Sequence, residues 1–447
     1  MPPQPRPLLG VFDAMMITVG IVVGVGIFQT PSLVAQTAGS PALMIAAWVL
    51  GGVLSLVGAL SYAELAAAYP GTGGDYGFLT RAYGRNVSFL FAWARALVIA
   101  TGSIALIGFI LGDYLTRILP LGEYSAAVYA ALAVLALTAI NLLGLRTSSR
   151  LQNLLTVFEV GGVVAVAVAG LMLGMRDAPA AGVPAAAGSP GALGAAMVFV
   201  LLTYGGWNDA AYISAEVRGG PRAVVRTLLY SIALITTIYL LFVVGVSYGL
   251  GFDGLRSSEA AGVDVLQRLM GSTAAQLIGA LVVISAMTSM NSTMIVGGRL
   301  NYSLARDWPL LKPLGRWSEA GNTPVTGLLL QALIALGLIA FGALQKDGFT
   351  ALVEFTAPVF WLFFMLSGIA LLVLRRQDPG TPRPFRVPLY PLLPLLFVAT
   401  CGWLLYSSIR YAQSRHAGYI ALLVMCGGVV ALLALRRLQA RALAPSN

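Results

Sequence analysis

Charge is what this chain has least of. Asp, Glu, Lys and Arg make up 10% of its 447 residues, while 58% are hydrophobic. Mean hydropathy is +0.85, a balance that excludes a water-soluble globular domain. Histidine occurs once, at His416 in a connection, so a histidine-based proton relay or metal site is not expected. The two cysteines, Cys401 and Cys426, fall in late apolar runs, where they read as core residues without disulfide or metal spacing. No nucleophile–base pair or ligand cluster is legible, so no enzyme, cofactor or metal is expected. What remains is an all-α polytopic membrane protein.

The net charge of +10 would suit a nucleic-acid binder. Its distribution does not, because the basic residues sit in short connections between apolar runs. Runs of roughly the 20 residues that cross a bilayer fall near 11–36, 41–68, 88–118, 125–145, 151–175, 191–215, 226–250, 274–304, 325–343, 350–374, 387–408 and 417–435. With the N-terminus inside, 19 Lys and Arg lie on the inner side, 7 on the outer side, and Arg95 within a run. That bias predicts twelve transmembrane helices with both termini cytoplasmic. The first run is too long for a signal peptide and reads as a retained helix. Residues 1–10 read as a disordered N-terminus, the Ala/Gly/Pro-rich stretch 177–190 as a linker, and 436–447 as a tail. Tyr69–Gly77 is rich in turn residues and suits an interfacial or re-entrant element.

Two runs are interrupted by glycine. The first contains Gly24-Val25-Gly26-Ile27-Phe28, the sixth Thr203-Tyr204-Gly205-Gly206-Trp207-Asn208-Asp209. Glycine costs about 1 kcal/mol relative to alanine inside a helix. Either these positions pack helices closely, or the helices open there around a ligand. Two interrupted runs at corresponding places in two halves point to an inverted-repeat transporter. An opening at Gly24 would free the amides of Val25, Gly26 and Ile27 at a half-helix N-terminus, which suits a carboxylate. The carbonyls of Leu202, Thr203 and Gly205 would suit an ammonium. A zwitterionic amino acid meets both needs.

Ionisable groups within spans are costly and therefore functional candidates. Glu159 is expected either to bind a proton or cation, or to pair with a nearby Arg. Arg95 is expected to neutralise an acid, and Glu64 to be structural. Glu216 is expected to pair with Arg218, and Glu354 to be solvated. Asn208 follows the second glycine cluster as a bridge or gate. Ser285, Thr288 and Ser289 share one face of the eighth run. They read as interhelical hydrogen bonds or as Na⁺ ligands.

Several motifs together resemble the amino acid–polyamine–organocation family, nearest its L-type branch. They are GVGIF at 24–28 with Pro31, YAEL at 62–65 running into YPGTGGDYGFL, LTYGGWNDAAYISAEV at 202–217, and MNSTMIVGGRLNYSLARDW at 290–308. The segment from Leu151 to Glu159 resembles the start of the family's fifth helix, where sodium-independent members commonly carry Lys. The resemblance implies a LeuT-like 5+5 inverted repeat, 11–176 and 191–376, with helices 1 and 6 unwound and two extra helices over 387–435. It implies a substrate site at Gly24, Val25, Gly26, Ile27, Leu202, Thr203 and Gly205. Val25 stands where many members have a hydroxyl, and Leu202 where many have an aromatic gate, which passes gating to Tyr204, Trp207 and Asn208. The coupling candidates are Glu159, Ser285, Thr288 and Ser289.

The expected activity is secondary transport of neutral L-amino acids, by exchange or with H⁺ as coupling ion. A carrier of cationic amino acids or polyamines is the alternative, and a nutrient sensor a remote one. Pro120–Tyr124, between the third and fourth runs, has no cysteine for a disulfide-linked heavy subunit. A prokaryotic inner membrane is the expected location. Substrate identity and oligomeric state are not legible.

Overall fold

A computed structural model describes residues 5–176, 191–345, 356–414 and 418–443. These residues form sixteen α-helices. Ten helical stretches are long and apolar enough to cross a membrane. They are α3 (Pro41–Ala68), Arg85–Ile118, α7 (Ser125–Leu142), α8 (Leu145–Arg176) and α10 (Gly220–Ser257), then α12 (Ala274–Asp307), α13 (Val325–Leu344), α14 (Ala357–Gln377), α15 (Leu392–Ser414) and α16 (Gly418–Leu443). Arg85–Ile118 comprises α5 (Arg85–Ala94), a π turn (Arg95–Ile99) and α6 (Ala100–Ile118). The last helix continues to Leu443, so much of the expected tail is helical. The expected linker 177–190, Glu354 and His416 lie outside the described residues.

The other two apolar runs are divided. The first is α1 (Val11–Val22), a 3₁₀ turn (Val25–Phe28) and α2 (Thr30–Ala38). The sixth is α9 (Ala192–Thr203) and a 3₁₀ segment (Trp207–Glu216). Two shorter helices, α4 (Asp75–Tyr83) and α11 (Ala261–Met270), lie between long ones.

Local chemistry sets several of these boundaries. Gly39, at φ 73°, ends α2, and a left-handed cap residue is cheapest as glycine. Ser40 then caps α3, its Oγ accepting from the Leu43 amide, with Pro41 in the first turn. Small residues bring long helices backbone to backbone, as membrane packing requires. A side chain at Gly245 of α10 would meet the Ala167 carbonyl oxygen of α8 at 2.3 Å. On α3, Gly51 and Gly58 leave room for Tyr204 and Trp207.

The core has two main parts. Ile104, Leu111, Val134, Leu137, Met290 and Ile339 belong to one cluster, contributed by α6, α7, α12 and α13. Most other helices, including α1, α3, α8, α10 and the 3₁₀ segment, build the larger one. Val25 packs against both, which places the first interruption at their seam.

Candidate functional site

The site is built where the two divided runs meet. Val23 and Gly24 leave the helical conformation after α1, with Gly24 at φ −110°, ψ −173°. The amide of Gly24 donates to the Val22 carbonyl at 3.0 Å, and that of Ile27 to Gly24 at 3.3 Å. Among the described residues, no carbonyl accepts from the amides of Val25 or Gly26. Two of the three amides expected to hold a carboxylate are thus free, and Ile27 is engaged locally.

Across from them, α9 ends at Thr203, and Gly206 takes φ 110° before the 3₁₀ segment. Tyr239 of α10 ties the two helix ends together. Its hydroxyl lies 2.7 Å from the Val22 carbonyl oxygen and 3.1 Å from that of Thr203. It has one proton for two acceptors, so one carbonyl face remains unsaturated. The Leu202 carbonyl accepts from Gly205 at 3.1 Å. Thr203 Oγ1 lies 3.1 Å from Thr30 Oγ1, which donates to the Gly26 carbonyl at 2.9 Å. Sequence reasoning missed Tyr239, because a tyrosine within a long apolar run carries no local signal.

The Leu202 side chain is 59% exposed. Its place on α9 is opposite the buried Val200 and Tyr204 face. Tyr204 packs instead on Trp48 and Tyr239, with ring centroids at 6.1 and 5.0 Å. Trp207 lies farther along, among Tyr62, Phe364 and Phe397. Beside Val25 and Phe28, a cavity of about 20 Å³ runs between α8, α11 and α12, room for about one water.

The 3₁₀ segment carries a buried ionic network. Arg95 Nη2, placed by the π turn, donates to both Asp209 oxygens at 2.7 and 2.6 Å. Its guanidinium stacks on Tyr212, 4.6 Å from the ring centroid. Asn208 bridges to Asp75 of α4 at 3.2 Å, and Asp75 also accepts from Tyr212 at 2.9 Å and from Tyr62. Glu216 pairs with Arg299 of α12, not with Arg218. Arg218 instead donates to the Leu8 carbonyl, and residues 9 and 217 form a parallel bridge. Asn322 joins this knot by donating to Glu216 Oε2 at 3.0 Å and to the Arg6 carbonyl at 3.1 Å. Glu64 is structural, accepting from Arg375 and from the Val387 amide. In the connection after α14, the hydroxyls of Thr381 and Tyr69 hold the Asp378 carboxyl below the usual carboxylate range.

Of the hydroxyls on α12, Ser285 donates to Glu159 at 2.6 Å, and Ser289 to the Gly20 carbonyl at 3.1 Å. Thr288 bonds back to the Ile284 carbonyl of its own helix. Cys401 is buried and Cys426 exposed, which corrects the expectation that both are core residues.

Residues 9–430 match the family model described as amino acid permease. The chain belongs to the amino acid permease family. Three relatives match this permease over most of both lengths. A serine/threonine exchanger of Bacillus subtilis is 26% identical, covering 90% of this chain and 91% of the relative. The human b(0,+)-type amino acid transporter 1 is 29% identical, at 94% and 86% coverage. The mouse large neutral amino acids transporter small subunit 2 is 27% identical, at 94% and 79%. With ten apolar helices of membrane-crossing length, the permease is a multi-pass membrane protein and a transporter.

Proposed function

We propose that the permease exchanges neutral L-amino acids across a prokaryotic inner membrane by alternating access. Twelve transmembrane segments cross, the two divided runs being unwound helices 1 and 6 of a 5+5 inverted repeat (11–176 and 191–376), with α15 and α16 added. The end bearing Arg218, Arg299 and Arg306 faces the cytoplasm, with both termini. One observation carries the reading. The unpaired amides of Val25 and Gly26 lie at the same junction as the Val22 and Thr203 carbonyls that share Tyr239. An amino acid's carboxylate meets the amides and its ammonium the carbonyls, as half-helix ends favour. Gly205 adds a further carbonyl, and Gly24 is the opening.

No charged side chain forms a hydrogen bond or ion pair with these backbone groups among the described residues, which supports neutral substrates. A cationic carrier would need Asp209 or Glu159 at the site, and Asp209 is engaged by Arg95. Two relatives named as an exchanger and as a large neutral amino acids transporter support the same reading. The protein is proposed to work without a disulfide-linked heavy subunit. Tyr204 closes one side of the site, and Trp207 with Asn208 the cytoplasmic side.

Counterflow into proteoliposomes, with a panel of amino acids and putrescine and with Na⁺ present or absent, tests this. Leucine, alanine or serine should exchange without Na⁺. Exchange confined to arginine and putrescine would establish the cationic carrier instead.

A further inference from the structure

The second break holds more acid than base. Asp75, Asp209 and Arg95 are all buried, so the cluster contains two carboxyls and one guanidinium. Both acids lie within reach of a single amide: Asn208 Nδ2 is 3.2 Å from Asp75 Oδ2 and 3.4 Å from Asp209 Oδ1. Arg95 Nη2 bonds both oxygens of Asp209, while the buried Nε of Arg95 has no partner. The donors to Asp75 are all neutral: Tyr62, Tyr212 and Asn208. Asp75 is thus held by hydrogen bonds without a counter-charge of its own.

These groups do not belong to one unit. Asp209 and the donors Asn208 and Tyr212 lie on the 3₁₀ segment Trp207–Glu216. Asp75 opens α4, and Arg95 opens the π turn that follows α5. The helices α4 and α5 are consecutive and bonded to each other, Thr80 Oγ1 donating to Ser88 Oγ at 2.7 Å. The pair of Arg95 with Asp209 therefore bridges two units, whereas Arg95 and Asp75 share one. Tyr212 touches both groups of that unit. Arg95 stacks on its ring at 4.6 Å, and its hydroxyl donates to Asp75 at 2.9 Å.

Departure of the 3₁₀ segment from α4 and α5 would strip both groups together. Arg95 would lose Asp209 and the Tyr212 ring. Asp75 would lose Tyr212 and Asn208 and keep Tyr62. Stranding either charge in a membrane interior is costly. The two are opposite in charge and already neighbours of the same tyrosine, so pairing with each other removes both costs. Nε and Nη2 of Arg95 offer the two-pronged edge that a carboxylate accepts. Asp209, carried off by the segment, meets the water that enters.

We propose that Arg95 is a positioning residue of transport that exchanges acids: it holds Asp209 while the cytoplasmic side is closed and passes to Asp75 when the 3₁₀ segment leaves. The guanidinium stays paired in both states, which gives the segment two discrete arrangements. The proposal rests on the amino acid transport reading above and assigns the charge exchange that lets the second break move.

The test labels a reporter cysteine in the full-length protein. Ser214 lies on the 3₁₀ segment, is buried, and bonds the Gly71 amide and carbonyl at 3.0 Å each. With Cys401→Ala and Cys426→Ser, Ser214→Cys reports separation from that connection through its rate of reaction with a maleimide in detergent. Asp209→Asn removes the closed-state partner and leaves Asp75, so labelling should quicken severalfold. Adding Arg95→Gln removes the open-state pair as well and should bring the rate most of the way back. A fixed anchor gives the opposite pattern: with Asp209 already neutralised, loss of Arg95 leaves labelling as fast or faster. That result, or no quickening in Asp209→Asn, overturns the proposal. Arg95→Met, which keeps an apolar chain against Tyr212, replaces Arg95→Gln in the same comparison where the latter does not fold.

Counterflow of L-leucine, L-alanine and L-serine into proteoliposomes gives a second readout. Arg95→Gln in the otherwise unaltered protein should lower the maximal rate severalfold with half-saturation unchanged, since the backbone groups at the first break are untouched. Arg95→Lys should recover part of that rate. Raised half-saturation at an unchanged maximal rate would place Arg95 in substrate binding and overturn the positioning role. Absence of counterflow for every probe in the wild type defeats the transport reading itself, while the labelling comparison still decides the exchange of partners.

Discussion

The two divided runs solve one local problem in opposite ways. The first opens at Gly24 with two unpaired amides and no ion pair within the 3₁₀ turn Val25–Phe28. The second opens at Gly206, and the segment after it is anchored by Asp209 to Arg95 and by Glu216 to Arg299, with Asn208 tied to Asp75. One break leaves its polar groups for a ligand. The other uses charged side chains to hold a short 3₁₀ segment, which its own backbone bonds would hold poorly. The difference teaches that a helix interruption says nothing by itself about ligand binding. What matters is which backbone groups the rest of the fold leaves unpaired.

Three substitutions probe this contrast. The largest effect is expected for Arg299→Ala, which strands Glu216 in a dry interior. Loss of one partner of a buried pair costs about 3–5 kcal/mol, to be read by thermal unfolding in detergent. Combining it with Glu216→Gln should recover part of the loss. A shift of the same size for Glu216→Gln alone and no recovery in the pair would show that the two do not act together.

Gly206→Ala comes next. Its φ of 110° disfavours a side chain, and a Cβ would meet Ile21 Cγ2 at 2.7 Å. Strain and overpacking together predict a loss of about 2–4 kcal/mol. Unchanged stability would mean that the second break adjusts freely, and the contrast would fail.

The smallest effect on stability is expected for Gly26→Ala. The nearest atom to a new Cβ is Thr30 Oγ1 at 3.9 Å, so unfolding should shift by no more than about 0.5 kcal/mol. Transport should nevertheless fall by roughly tenfold or more, since a methyl group beside a free amide obstructs a charge-assisted hydrogen bond worth about 1.5–3 kcal/mol. Normal transport in this variant would remove Gly26 from the substrate site.

Much of this was legible before any coordinates. Apolar runs and their glycines located the long helices and both interruptions, because membrane-crossing length and the missing side chain are local properties. Asn208, placed after the second glycine cluster, was expected to bridge or gate, and Arg95 to neutralise an acid. Partner choice was another matter. Glu216 was expected beside Arg218, two positions away, yet it meets Arg299, which only packing of the 3₁₀ segment on α12 brings near. Leu202 and Tyr204 stand two positions apart in one run, yet Leu202 is 59% exposed and Tyr204 is buried. The spacing of residues along a chain fixes which of them share a helix, but not the rotation of that helix about its axis.

Sequence alone determined that the protein lives in a membrane, that two of its apolar runs are weak at glycine, and that Glu159 lies within a span. Tertiary structure decided which backbone groups at those glycines stay unpaired, and that Tyr239 joins the two helix ends. It also decided that buried Glu159 receives its hydrogen bond from Ser285 of a distant helix. The reason is physical. Hydropathy and glycine content act within one segment, whereas hydrogen-bond satisfaction depends on groups that meet only after distant helices have packed.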